Sequence, residues 1–170
     1  LLEIGLGTGL NVLLTALELK SIGMQKHVEM TSIEAFPITE NEVKQLNYID
    51  VLGEDSLLFE KIHNLPWNAK QKLTDNLDLL KVHAQLEDYT FHSQFDVIYF
   101  DAFAPEKQAE LWEEEIFTKL YNQLRNNGIL VTYCVKGVIK RRLKSIGFEI
   151  EKLAGPPGGK REMLRAQKID

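Results

Sequence analysis

Leu1–Asn11 reads LLEIGLGTGLN: a short apolar strand, a turn with glycine at positions 5, 7 and 9, and the opening of a helix. Glycine has no Cβ and enters positive φ freely, so the chain can turn tightly here and lie against a ligand. The helix that follows aims its unpaired N–H groups at the same point. Glu3 stands just ahead of the turn, where a carboxylate accepts hydrogen bonds from a cationic or hydroxyl-bearing ligand. A plain strand-to-helix turn is the bland alternative.

The spacing separates two ligand classes. The dinucleotide fingerprint has a small residue at its sixth position, so that pyrophosphate reaches the helix end. Here that position is Leu10, and the third glycine falls one place early. An acidic residue before Gly-x-Gly-x-Gly resembles the first motif of class I S-adenosylmethionine-dependent methyltransferases. Their cofactor has no phosphate, and its positively charged methionine end suits Glu3.

Composition sets the frame. A chain of 170 residues, 44% hydrophobic, fits one domain over 1–170 with a sizeable core. The single cysteine, Cys134, excludes an internal disulfide framework and fits a reducing, cytoplasmic setting. No apolar run is long enough to span a bilayer. Because the chain opens inside a strand, residues before Leu1 are expected to be missing. Net charge is −5, unevenly spread. Residues 1–135 hold 10 Lys/Arg and 21 Asp/Glu, whereas residues 136–170 hold 10 Lys/Arg and 4 Asp/Glu. A basic end on an acidic body points to an anionic partner held at one edge.

Leu10, Leu13, Leu14 and Leu17 repeat at helical spacing, with Gly23 as a stop. Val28–Ile33 reads as a second strand ending at Glu34, the position from which doubly wound nucleotide-binding sheets hold ribose hydroxyls. Thr39-x-x-Glu42 has the capping-box pattern and opens a helix carrying Val43 and Leu46. Residues 50–65 present Leu57, Leu58 and Ile62 on one face until Pro66 stops them. Residues 67–76 are polar and read as loop. Leu77–Val82 reads as a third strand ending at His83-Ala84-Gln85.

A second informative stretch is Phe95–Trp112, FDVIYFDAFAPEKQAELW. Val97–Phe100 is nearly all apolar, as in the buried centre of a parallel sheet, and ends at Asp101. Ligands bind at the carboxyl ends of central strands in open α/β sheets, so Asp101 stands where chemistry occurs. Phe103 and Trp112 offer rings to a planar substrate, with core packing as the plainer role for each. Leu111, Ile116, Leu120 and Leu124 outline a helix closed by Asn126-Asn127-Gly128, and Ile129–Val135 reads as the next strand with Cys134 as inert core. Val138–Ile146 is a short basic helix with Lys140, Arg141, Arg142 and Lys144, capped by Gly147. Phe148–Leu153 and Glu162–Ala166 read as a hairpin joined through Gly155-Pro156-Pro157-Gly158-Gly159. The expected fold is α/β: a doubly wound, Rossmann-like, mostly parallel sheet with a C-terminal antiparallel hairpin. The four histidines are scattered without ligand spacing, so no metal is expected.

Four blocks together resemble one family, the methyltransferase half of the bacterial MnmC enzymes of tRNA 5-methylaminomethyl-2-thiouridine biosynthesis. They are Gly5-Leu6-Gly7-Thr8-Gly9-Leu10-Asn11; Glu34-Ala35-Phe36-Pro37; Asp101-Ala102-Phe103-Ala104-Pro105 with Trp112; and Gly147-Phe148 followed by Gly159-Lys160-Arg161-Glu162-Met163-Leu164. The resemblance implies methyl transfer from S-adenosylmethionine to the aminomethyl group of a wobble uridine. It implies Glu3, Gly5, Gly7, Thr8, Gly9, Asn11, Glu34, His83, Ala84 and Asp101 as cofactor residues, with Asp101 catalytic at the reacting amine. Phe103, Pro105 and Trp112 would face the substrate, and Lys140, Arg141, Arg142, Lys160 and Arg161 the tRNA phosphates. Two departures stand out. His83-Ala84 replaces the family's glycine-aspartate pair, and no flavin-dependent oxidase half is present, which leaves room for a separate oxidase protein. A small-amine methyl- or aminopropyltransferase of the same fold, or a non-catalytic nucleoside- or RNA-binding module, are the alternatives.

Overall fold

The run LDLLKVH at Leu77–His83 alternates buried and half-buried positions over most of its length, the period-2 signature of a strand against an apolar interior. The computed structural model describes residues 1–23, 26–53, 56–156, 158–159 and 162–169. In chain order the described elements begin β1 (Leu2–Ile4), α1 (Leu10–Ser21), β2 (Val28–Glu34), α2 (Glu40–Val43), α3 (Tyr48–Leu52) and α4 (Ser56–Asn64). They continue β3 (Gln71–Thr74), β4 (Leu77–His83), β5 (Phe95–Phe100), α5 (Glu114–Gln123), β6 (Leu124–Thr132), α6 (Gly137–Ile146), β7 (Phe148–Ala154) and β8 (Glu162–Lys168). The chain divides into two compact units, Gly5–Gln85 and Leu1–Ile4 with Leu86–Asp170.

In Gly5–Gln85, β2 and β4 run parallel, from Val28 opposite Leu77 to Glu34 opposite His83. The parallel pairing brings the ends of both strands, Glu34 and His83, side by side. β3 adds antiparallel to the far side of β4. The polar stretch read as loop is therefore a strand at Gln71–Thr74. Its one large apolar side chain, Leu73, is buried, and the Thr74 hydroxyl donates to Asn76 Oδ1 across the tight connection to β4. Val12, Leu13, Ala16 and Leu19 form the buried side of α1, while Leu14 is 42% exposed, so the packed face is rotated from the leucine stripe. The capping box at Thr39 and Glu42 is formed, but α2 ends after a single turn at Val43.

In the other unit the strand order is β1-β5-β6-β8-β7. Leu2 lies opposite Ile98 and Val97 opposite Ile129, both in parallel ladders. β8 then pairs antiparallel with β6 on one side and β7 on the other, so the expected C-terminal hairpin is present. Leu124 belongs to β6, opposite Phe95, and not to the preceding helix. A register irregularity between Phe95 and Val97 lets β6 start early, and Asn127 turns through φ 63° on the same strand. The core of this unit centres on Phe100, Trp112 and Phe117, whose ring centroids lie 4.9–6.2 Å apart. Cys134 is buried, as read.

Candidate functional site

The glycine turn belongs to the Gly5–Gln85 unit. Gly5, Gly7 and Gly9 all sit at positive φ, at 88°, 49° and 75°, where a Cβ would crowd the following carbonyl. Gly5 donates its N–H to Ile33 O, which ties the turn to the end of β2. Gly7 donates to Glu34 Oε2 at 2.9 Å, and Phe36 donates to Oε1 at 2.8 Å. Each carboxylate oxygen thus holds one backbone N–H and keeps further lone pairs for a hydroxyl. An added Cβ at Gly7 would meet nothing within 4 Å, so the turn borders open space. At Gly9, which opens α1 without a side-chain cap, it would press on Ile62 Cγ2 and His63 Nε2 at 3.3 Å.

These features fit S-adenosylmethionine. Glu34 presents acceptors suited to ribose hydroxyls, the opening of α1 suits a carboxylate, and the space over Gly7 is the room a closely bound ligand needs. Ala84 donates its N–H to Glu34 O, and His83 takes Asn68 Oδ1 as its backbone partner at 3.0 Å, with its ring beside Trp67. His83 and Ala84 are therefore neighbours of Glu34.

Around Thr8 of the turn stand Tyr48, His63 and Lys81, which no motif signalled. The Thr8 hydroxyl and the Tyr48 hydroxyl are hydrogen-bonded at 2.8 Å. Burial, and then the charge of Lys81, hold the His63 imidazole below its usual pKa, with hydrogen bonding to the Thr8 backbone as a partial offset. Lys81 is buried in β4, donates to His63 O at 2.8 Å and lies 4.9 Å from the centre of the Trp67 ring. Burial pushes its amine down to about 8. A lysine within the apolar run of β4 was the available signal for this support.

Asp101 belongs to the other unit. It follows β5 directly, its N–H donates to Ile4 O at 3.0 Å, and it is exposed. The three carbonyls after it are all held. Tyr133 donates its hydroxyl to Ala102 O at 2.8 Å, Trp112 its indole N–H to Phe103 O at 2.7 Å, and Lys107 its N–H to Ala104 O at 2.7 Å. Such a loop is preorganised: its backbone is fixed while Asp101 and the 72% exposed Phe103 ring stay accessible. Burial and then the Asp101 charge raise the Tyr133 hydroxyl above its usual pKa, so it remains a donor.

Several readings need correction. Trp112 is 0% exposed, so it has no face to offer a substrate and acts as a core prop of the Phe103 loop. Glu3 is likewise 0% exposed on β1, not poised at a ligand surface. Arg142 donates to Trp112 O at 2.6 Å and pairs with Glu113 at 2.7 Å, so its guanidinium is engaged by partners of its own chain. Lys136, Lys152 and Arg165 pair with Glu106, Glu162 and Glu151, which neutralises much of the basic end locally. Among the described residues Lys140, Arg141 and Lys144 on α6 make no ion pair. Lys160 and Arg161 lie outside the described residues. Asn11, in the first turn of α1, accepts the Thr15 hydroxyl at its carbonyl. No helix among the described residues is long and apolar enough to cross a membrane, and no group of side chains there could hold a metal ion.

Comparison with known proteins gives the frame a family. Residues 54–169 match the family described as S-adenosyl-L-methionine-dependent methyltransferase. Similar proteins include the tRNA 5-methylaminomethyl-2-thiouridine biosynthesis bifunctional protein MnmC of Pseudoalteromonas atlantica. It is 30% identical, over 95% of this chain and 25% of that protein. The protein of the same name from Actinobacillus pleuropneumoniae is 28% identical, over 98% of this chain and 27% of its own length. The chain thus spans about a quarter of the length of the curated relatives it matches. Among solved structures, MnmC2 from Aquifex aeolicus superposes with a TM-score of 0.72 at 20% identity, covering 97% of this chain and 52% of that one. A methyltransferase from Pyrococcus furiosus gives 0.59 at 17%, covering 99% and 74%. These likenesses show the fold, a Rossmann-like α/β arrangement with mostly parallel strands and a C-terminal antiparallel hairpin. With more than half of its length matched, the chain belongs to the S-adenosyl-L-methionine-dependent methyltransferases.

Proposed function

We propose that this enzyme methylates the amine of an aminomethyl group on the wobble uridine of tRNA. The observation that carries the reading is Asp101, an exposed carboxylate at a strand end on a loop whose next three carbonyls are each held by a hydrogen bond. Relatives named for tRNA 5-methylaminomethyl-2-thiouridine biosynthesis align over 95–98% of the chain, which supports that substrate.

When bound, the cofactor supplies a methyl group already activated on its sulfonium. The protein's task is then alignment and proton management. Gly5, Gly7, Thr8 and Gly9 form the turn that seats the cofactor, Glu34 accepts from its ribose hydroxyls, and His83 and Ala84 border the same position. An alkylamine is mostly protonated near neutral pH and cannot attack in that form. Asp101 accepts the ammonium proton and orients the freed lone pair. Phe103 offers an aromatic face to a base drawn out of the anticodon stack. Lys140 and Arg141 meet phosphates.

Mass spectrometry of wobble nucleosides from a strain lacking the gene tests this reading. The expected result is accumulation of the unmethylated aminomethyl nucleoside, cleared when purified protein and S-adenosylmethionine are added to that tRNA. An unchanged nucleoside profile with no methyl incorporation in vitro would sink it.

A further inference from the structure

We propose that His63 is a positioning residue for the cofactor: its neutral ring backs the glycine turn, and its protonation lowers the affinity for S-adenosylmethionine. The inference rests on the reading of that turn as the cofactor seat and adds a residue that no motif marks.

The turn has two faces. A Cβ added at Gly7 would meet open space, whereas one added at Gly9 would meet His63 Nε2 and Ile62 Cγ2 at 3.3 Å. His63 therefore fills the back of the turn, in room that only a residue without a Cβ leaves. Its ring is held from several directions. It hydrogen-bonds to the Thr8 backbone and packs edge-on against Phe59, with centroids 4.6 Å apart. Phe59 in turn meets Tyr48, whose hydroxyl is bonded to that of Thr8 at 2.8 Å. Thr8, Tyr48, Phe59 and His63 thus close a circuit around the turn. Lys81 fixes the end of α4 by donating to His63 O at 2.8 Å.

Only the neutral imidazole suits this place. Nε2 is buried and has no hydrogen-bond partner among the described residues. A proton on it would bury a charged donor with nothing to receive it. The surroundings are positive. β4 supplies Lys81, whose charge acts on the ring. α1 opens beside it with no acidic residue in its first turn and with the positive end of its dipole. α3 offers the Tyr48 hydroxyl, while Lys61 of α4 and Lys72 of β3 are bound to Leu73 O and Asp75. Burial and Lys81 accordingly hold the imidazole below its ordinary pKa. Protonation drives the ring from its contacts, and Thr8 and Gly9 lose their backing. A cofactor that fixes the turn favours the neutral ring, so proton and cofactor oppose each other's binding.

Two measurements on the full chain test this. Ring C–H resonances of His63, followed by NMR from about pH 8 to about pH 5, should titrate below histidine's ordinary 6.5, and lower still with S-adenosylmethionine bound. A titration at the ordinary value, or one that the bound cofactor leaves in place, overturns the proposal. By calorimetry, the cofactor's dissociation constant should rise up to about tenfold per pH unit below that midpoint, the effect of one linked proton. His63→Gln carries no charge at any pH and should abolish this slope. A folded His63→Gln that keeps the wild-type slope overturns the proposal, since another group then carries the titration. If the variant does not fold, the wild-type ring titration decides alone. If folded Gly7→Val binds the cofactor as well as wild type, the reading of the turn as the seat fails and this inference falls with it. With Gly7→Val deficient, a ring that ignores the cofactor overturns the role of His63 alone.

Discussion

Gly7 and Glu34, 27 residues apart in sequence, are joined by a backbone N–H donated to a carboxylate oxygen at 2.9 Å. The other oxygen takes Phe36 N–H. Glu34 is thus a strut of the glycine turn as well as a candidate ligand for ribose. Glu34→Gln turns an N–H donor toward one of the two backbone donors and removes the charge. Hydrogen bonds to charged groups contribute about 1.5–3 kcal/mol, so urea unfolding should show a loss of that order, with weakened S-adenosylmethionine binding by calorimetry. A variant as stable as wild type would show that neither bond matters to the fold.

Gly7 and Gly9 should respond differently to a side chain. Gly7→Val strains a positive φ, a cost of about 1–2 kcal/mol, but its Cβ meets only open space, so the protein should fold and fail to bind cofactor. Gly9→Ala suffers the same strain and also presses on Ile62 and His63. It should lose more thermal stability than Gly7→Ala. Unchanged cofactor affinity in folded Gly7→Val would make the turn purely structural.

Asp101→Asn keeps the shape of the side chain and removes its basicity. Turnover should fall about 10²–10⁴-fold, while cofactor affinity and melting temperature stay near wild type. A residual rate close to wild type, measured at saturating cofactor, would remove Asp101 from the mechanism.

Lys81 links stability to pH. Its amine is held at about 8 in the folded chain against an ordinary 10.5, so between those values the unfolded chain binds more protons. Stability gained from this group therefore rises with pH across that window, by at most about 1.4 kcal/mol per pH unit. The burden is fully present below about pH 8. Lys81→Met should flatten that rise in urea unfolding series run across the window. An identical pH dependence in the variant would contradict the burial argument.

The cations of α6 divide by their contacts. Lys140→Glu with Arg141→Glu should weaken tRNA binding and flatten its log–log salt dependence by roughly 0.7–0.9 per lost phosphate contact. Arg142→Ala should instead lower thermal stability, because it frees Trp112 O and Glu113. If the double charge reversal leaves both affinity and slope intact, the RNA footprint lies elsewhere.

Periodicity and punctuation carried most of the fold. The parallel strands, the glycine turn, Glu34 at a strand end and Asp101 after β5 all follow from apolar runs broken by glycine or by an acid. What escaped was decided by tertiary contact. Gln71–Thr74 looks like loop because a short outer strand needs only one buried side chain, Leu73. Leu124 fits a helical stripe equally well, and only its pairing with Phe95 assigns it to β6. Trp112 and Arg142 carry the right chemistry for a site, yet burial and an internal carbonyl claim them. No spacing rule distinguishes an arginine that props a loop from one that meets a phosphate. Tyr133 was invisible for the opposite reason, since its value comes from the carbonyl of Ala102, which no sequence pattern announces.

The ladder between β1 and β5 sets Leu2 against Ile98, with the whole of Gly5–Gln85 between them in sequence. That ladder therefore closes only once β5, far along the chain, has been made. β7, by contrast, pairs with the strand that follows it, β8, in a local hairpin. The β1–β5 ladder is a non-local closure, the kind that slows folding. The Gly5–Gln85 unit draws its β2–β4 and β3–β4 ladders from one continuous stretch. The glycine turn thus stands on short-range ladders, whereas the Asp101 loop follows a strand paired across a long gap in sequence.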